Sequence, residues 1–270
     1  MIAGNVDSAV RLLCAGAKIS YKMASVTSLK QAARHGHRRM VNTLLQYGAK
    51  FSIHDFINAI NQGHLDEVEI ILQHRSHFNT FGWTLVHSAA AKGHSDIVRL
   101  LLTHGENDNQ EFHSDTPLHA AARCGSAATV EILLQHGANV HAKLIANNED
   151  RTPMHEVMLA AGYVSTNNIS KVVTLLSQYG ADINASTIQG LTPLHMAAKM
   201  NIPSVVFTLL RHGANENAIT KDNQTLLHMA TSDVVTLCNS WRRNNRIRVQ
   251  WALSNHSMIH DLIPFIASFL

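Results

Sequence analysis

Residues 115–140 read "DTPLHAAARCGSAATVEILLQHGANV". Two histidines, an arginine and a cysteine stand here among alanines and leucines, so the stretch is either a chemical cluster or a packing device. Local physics favours packing. Thr116 is suited to cap a helix whose first residue is Pro117, where a missing N–H costs nothing. Leu118 is placed to enter a core, and Ala121 and Ala122 are small enough to let a neighbouring helix approach. Gly125 is placed to end this helix in the left-handed conformation. Val130, Leu133 and Leu134 then fall at i, i+3 and i+4, the apolar stripe of a second helix, which Gly137 ends.

The pattern recurs along the chain. Thr84 begins "TLVHSAA", Thr116 "TPLHAAA", Thr152 "TPMHEVM", Thr192 "TPLHMAA" and Thr225 "TLLHMAT". Degraded copies begin at Thr27 ("TSLKQAA") and His54 ("HDFINAI"), and successive starts differ by 27, 30, 32, 36, 40 and 33 residues. A second block follows most copies: "MVNTLLQYGAK", "IVRLLLTHGEN", "TVEILLQHGAN", "VVTLLSQYGAD" and "VVFTLLRHGAN". A single unit of two short helices cannot bury its own apolar face, so units must stack. On these two blocks residues 1 to about 235 resemble ankyrin-repeat proteins. The resemblance implies an all-α ankyrin-repeat solenoid of paired antiparallel helices with hairpin fingers. It would comprise about seven to eight units over residues 1–235, the first partial, followed by a helical C-terminal cap or tail over 236–270.

The resemblance also accounts for much of the content of 19 histidines. His87, His119, His155, His195 and His228 share one repeat position, where the family's imidazole hydrogen-bonds within and between repeats. His37, His64 and His94 follow the first helix-ending glycine. His104, His136 and His212 precede the second.

Other features narrow the class. The net charge of +3 is too small to argue for nucleic acid, and no run of about 18 apolar residues is available to span a membrane. The first residues lack the pattern of a signal peptide. Cys14, Cys124 and Cys238 are widely spaced and odd in number, which suits reduced thiols in a cytoplasmic compartment, with the nucleus left open. No phosphate loop, nucleophile elbow, HExxH or CxxC is present. His256 and His260 are spaced to share a metal on a helix but lack a clear third ligand, and Cys124 near His119 lacks the context of a catalytic pair. The expectation is a non-enzymatic protein with no catalytic residue, cofactor or metal.

Three irregularities stand out. The chain begins inside a repeat, at "GNVDSAVRLL", which suggests either a capping half-unit or a piece of a longer protein. The step from Thr27 is too short for a full finger, whereas "HAKLIANNEDRT" lengthens the finger before Thr152 and "LAAGYVSTNNISKVV" lengthens the joint between that unit's helices. The pattern then stops near residue 235. Beyond it, Arg242, Arg243, Arg246 and Arg248 interleave with Trp241 and Trp251, ahead of the apolar "MIHDLIPFIASFL", a tail read as two or three helices. Cys238 with "LIPFIASFL" is similar to the SOCS and F-box-like segments that end some ankyrin proteins. Val234 stands at the SOCS leucine position and Arg242 at a hydrophobic one.

Carrying the family's finger and first-helix positions onto this chain gives an expected binding surface for another protein. On the fingers it comprises Phe81, Trp83, Phe112, Asp115, Arg151 and Leu191. On the first helices it comprises Arg34, Lys92, Arg123, Lys199 and Met200. Aromatic anchors beside a basic column fit an acidic or aromatic-containing peptide segment. The expected function is a protein–protein interaction scaffold. The alternatives are a ubiquitin-ligase substrate adaptor recruiting its ligase through residues 233–270, or an ankyrin effector of an intracellular bacterium or virus acting in the host cytoplasm.

Overall fold

The computed structural model describes residues 29, 31–32, 37–46, 51–73, 85–106, 114–145 and 149–254, with side-chain burial given as far as residue 244. The chain forms two compact units, Met1–Gln110 and Glu111–Leu270. Among the described residues there are helices and two isolated β-bridges but no strand.

In the first unit, α1 (Arg38–Gln46) precedes two helix pairs, α2 (Ile53–Gln62) with α3 (Leu65–Gln73) and α4 (Leu85–Lys92) with α5 (Ser95–Thr103). Val41 and Leu44 of α1 share a buried cluster with Leu29, Ala32 and Ile70. The degraded copy assigned to His54 starts two residues earlier than its sequence suggests. Ser52 is the N-cap of α2, its hydroxyl accepting from the Asp55 amide and the Asp55 carboxylate accepting from the Ser52 amide. A carboxylate thus takes the reciprocal capping role that histidine takes elsewhere.

The second unit holds four pairs: α6 (Pro117–Cys124) with α7 (Ala127–Gln135), α8 (Pro153–Leu159) with α9 (Thr166–Gln178), α10 (Pro193–Lys199) with α11 (Pro203–Arg211), and α12 (Leu226–Met229) with α13 (Ser232–Ser254). First helices pack on first helices and second on second. Ala121, Ala122, Ala197 and Ala198 are fully buried where the first helices meet, and Val130, Leu133, Val172, Val173, Val205, Val206 and Leu209 fill the layer behind them. Helix α13 runs without interruption through positions 235 and 236, where the sequence pattern stops. Val234 and Cys238 are buried, and the Trp241 ring meets Phe207 edge-on at 5.5 Å. Arg242 donates from Nε to Glu216 Oε2 at 2.9 Å. The start of the tail is therefore the second helix of the last pair. Residues 255–270, including His256, His260 and the apolar segment, lie outside the described residues.

The threonine–histidine turns form as expected at His119, His155, His195 and His228. In the α6 turn, Nδ1 of His119 accepts from the Thr116 amide at 3.3 Å, and its Nε2–H donates to the carbonyl of Arg151, 32 residues on, at 3.2 Å. His155 and His195 repeat this with Leu191 and Ala218 as acceptors, both at 3.1 Å. Each imidazole is thereby fixed in one tautomer and ties its own helix start to the next finger. His104 and His136 instead donate from Nδ1 to carbonyls four residues back, closing the ends of their own helices.

The long joint after α8 has a packing consequence. After a 3-10 turn at Ala160–Gly162, Val164 sits against Gly125, whose φ is +68°. A Cβ built on Gly125 would lie 2.9 Å from Val164 Cγ1, while one on Gly137 (φ +90°) would meet nothing within 4 Å. Gly125→Ala is therefore expected to destabilise by about 2–3 kcal/mol, backbone strain plus overpacking, and Gly137→Ala by about 1 kcal/mol, strain alone. Equal shifts in the denaturation midpoints of the two variants would contradict the contact.

Candidate functional site

The residues expected to bind a partner separate into three groups. Phe81, Trp83, Phe112 and Arg34 lie outside the described residues. Lys92 is exposed at the end of α4 in the first unit. Asp115, Arg123, Arg151, Leu191, Lys199 and Met200 all belong to the second unit.

Four of those six, Arg151, Leu191, Lys199 and Met200, line one groove of about 390 Å³. Two fingers and the ends of two first helices build it. Arg151 is set by its backbone bridge to Leu144, the Leu144 amide donating to the Arg151 carbonyl and the Arg151 amide to the Leu144 carbonyl at N···O distances of 2.7 and 3.1 Å. Leu191 closes the next finger, where the Thr187 amide donates to the Leu191 carbonyl at 2.9 Å. Leu159, at the end of α8, and Met196, on α10, complete an apolar floor with Leu191 and Met200. Glu149, Arg151 and Lys199 stand among its polar lining. Methionine side chains adapt to varied apolar shapes, which suits a surface that receives another chain.

Fingers in this unit also touch each other. The Lys221 amide donates to the Gln189 carbonyl at 2.9 Å, and a Cβ on Gly190 would lie 3.1 Å from the Thr220–Lys221 backbone. Exposed isoleucines mark three fingers, Ile145, Ile188 and Ile219.

The basic column expected from the sequence is not continuous in the second unit. The position held by Arg123 in α6 and Lys199 in α10 is held by Leu159 in the intervening α8. Moreover, Arg123 is already engaged. Its Nε donates to Glu156 Oε2 at 2.5 Å and its Nη2 to Asp115 Oδ2 at 3.1 Å. Arg151 Nε lies 3.2 Å from the other oxygen of Glu156 and 3.1 Å from Glu149. Glu156, on α8, is fully buried, so two arginines from the preceding unit's helix end and from the finger converge on one interior carboxylate. Burial alone would lower the Arg123 pKa. The hydrogen bond and charge of Glu156, and then Asp115, outweigh it and hold the guanidinium above its ordinary value. Lys199 is exposed and has no carboxylate within ion-pair distance among the described residues.

Sequence reasoning missed Glu156. The available signal was a break in the repeat, because the equivalent positions hold Ser88, Ala120 and Met196.

Among the described residues, no helix is long and apolar enough to cross a membrane, and no group of three His, Cys, Asp or Glu residues is placed to hold a metal ion. Capped helix pairs joined by short fingers, with an imidazole tying three successive pairs of the second unit to the finger that follows, define a helical repeat protein whose repeats stack through small residues. The family described as "Ankyrin repeats (3 copies)" matches residues 56–144 and 157–240, and the chain belongs to the ankyrin-repeat family. Among solved structures, the human ASB11 ankyrin repeat domain is similar at 25% identity and a TM-score of 0.64, over 78% of this chain and 96% of that one. The ankyrin repeat domain of Bcl-3, a member of the IkappaB family, is similar at 26% identity and a TM-score of 0.61, over 78% and 97%. No curated protein matches the sequence. Ankyrin repeats are protein-interaction modules, and the family is in general a non-enzymatic scaffold.

Proposed function

We propose that the chain is a non-enzymatic interaction module that holds a segment of a partner protein in the groove of its second unit. Arg151, Leu191, Lys199 and Met200 would form the contact, with Asp115 and Arg123 beside it. Lys92 and the finger residues Phe81, Trp83 and Phe112 would serve as further contacts on their own repeats, with Arg34. The observation that carries this reading is the convergence of four finger and first-helix positions on one apolar-floored depression. Such a depression is where a partner's anchoring side chain gains most from desolvation.

The adaptor alternative loses support from the packing of α13. Val234 and Cys238 face the interior of the last pair, and Arg242 is spent on Glu216. Recruitment of a ligase would then fall to residues beyond these, and co-purification of elongin or Skp1-type proteins with the full chain, lost on deleting residues 255–270, would revive it.

The test of the groove is quantitative affinity purification from the natural source, with the intact chain against a Leu191→Asp/Lys199→Glu variant. Specific partners are expected to fall by about tenfold or more, which corresponds to about 1.4 kcal/mol. Undiminished recovery with a folded variant would remove the groove from consideration.

A further inference from the structure

The groove's charge carries an inference that rests on this reading of the groove and names the chemistry of what enters it. Three cationic side chains lie at or beside it, Arg123, Arg151 and Lys199, and at the level of sequence all three look available. The geometry separates them. Arg123 and Arg151 each lie against a different oxygen of the buried Glu156, and each has a second carboxylate within ion-pair distance, Asp115 and Glu149 respectively. Two guanidinium groups thus stand among three carboxylates, with no excess positive charge to offer. Lys199 has no such partner among the described residues and projects beside Met200, next to the apolar floor.

We infer that Glu156 sets what the groove accepts: by holding Arg123 and Arg151 as its own counter-ions, it leaves Lys199 as the one uncommitted cation among the groove's described lining, so that a partner must present an apolar side chain flanked by a single carboxylate. A run of acidic or phosphorylated residues would satisfy Lys199 once and would then lie against Glu149 and Asp115, where like charges oppose docking. Burial makes the arrangement durable. A carboxylate with no access to water keeps its cations far more firmly than a surface pair does, because releasing them would strand its charge in the interior. Glu156 is on this account a positioning residue for specificity and does not itself touch the partner.

The test uses selection from a random peptide display library on the intact chain, followed by affinity measurement of the enriched peptides by fluorescence anisotropy. The expected pool carries a Leu, Met or aromatic residue close to one Asp or Glu, and its affinity falls about tenfold or more in Lys199→Glu and in Leu191→Asp. Glu156→Gln is expected to free the arginines and shift the pool toward acidic runs. Should that variant not fold, the double variant Asp115→Asn/Glu149→Gln is expected to shift it in the same direction. Acidic runs selected by the unmodified chain and lost in Lys199→Glu would overturn the role of Glu156 while leaving the groove in place. So would pools unchanged by Glu156→Gln and by the Asp115→Asn/Glu149→Gln variant. Peptides indifferent to Lys199→Glu and Leu191→Asp, or no enrichment at all, would overturn both.

Discussion

Acidifying the protein from neutral pH is expected to destabilise its second unit steeply, well above the pH at which most carboxylates titrate. Burial, the dominant cause, pushes the pKa of both His119 and His155 down to about 4, despite the opposing charge of Asp115 beside His119 and the carbonyl that accepts from each ring. His195 is shifted in the same direction, also by burial. In the unfolded chain these imidazoles would protonate near about 6.5. Between those values the unfolded state binds more protons than the folded state, so stability rises with pH. The stabilisation is complete above about pH 6.5 and is lost as the pH falls toward about 4. Structure explains the penalty. Nδ1 accepts from the capping threonine's amide, and a proton there would turn an acceptor into a donor facing a donor. His119 and His155 together are expected to remove about 4 kcal/mol by pH 5 and about 6 kcal/mol by pH 4. The measurement is the guanidinium midpoint as a function of pH for the intact chain and for His119→Gln/His155→Gln. Glutamine keeps a reciprocal cap but does not titrate. The variant should be less stable at neutral pH and much flatter between about pH 6.5 and 5. An unchanged slope would mean that these rings are not the acid-sensitive groups.

Legibility in the sequence followed locality. Thr116, Pro117, His119 and Gly125 announce a helix start and stop within ten positions, and the structure builds that helix as Pro117–Cys124. The alignment of histidines in one repeat position likewise foretold the turn shared by His119, His155, His195 and His228, because a recurring architectural need leaves a recurring letter; Thr84, which precedes His87 in the same pattern, lies outside the described residues. The α2 start was misplaced by two residues because Ser52 and Asp55 satisfy the same backbone groups with different letters. Contacts made across repeats were not readable. Gly125 reads as a helix terminator, but its closeness to Val164 depends on the long joint after α8. Arg123 reads as an available cation, yet its charge is met by Glu156, 33 residues away. Spacing fixes which helix carries a residue; the partner it meets depends on how neighbouring units dock. Leu191, Lys199 and Met200 could be put on a finger and a first helix from the sequence because those positions are properties of the unit, whereas the groove they line also draws on Leu159 and Met196 from two different first helices, a juxtaposition set by docking between units.

The charge cluster should behave as a unit and fail non-additively. Glu156 has no exposed surface, while the Arg123 side chain is 40% exposed and the Arg151 side chain 17%. Arg123→Ala alone leaves Glu156 paired with Arg151, and the converse holds for Arg151→Ala. Each single change is expected to cost about 1–2 kcal/mol, the loss of one charge-assisted contact. Removing both arginines strands an interior carboxylate, and the double variant is expected to lose about 5 kcal/mol or more, beyond the sum of the single losses. Adding Glu156→Ala to that double variant should then restore much of the loss, since the equivalent position in the preceding unit is the buried Ala120. By the same reasoning, Glu156→Ala alone should cost little, about 1 kcal/mol, because Arg123 can turn to water and Arg151 retains Glu149. Denaturant midpoints for the full set at neutral pH decide the matter. Recovery of stability by the third substitution identifies an uncompensated buried charge as the cause, and strictly additive losses would show that the arginines stabilise through packing of their aliphatic stems alone.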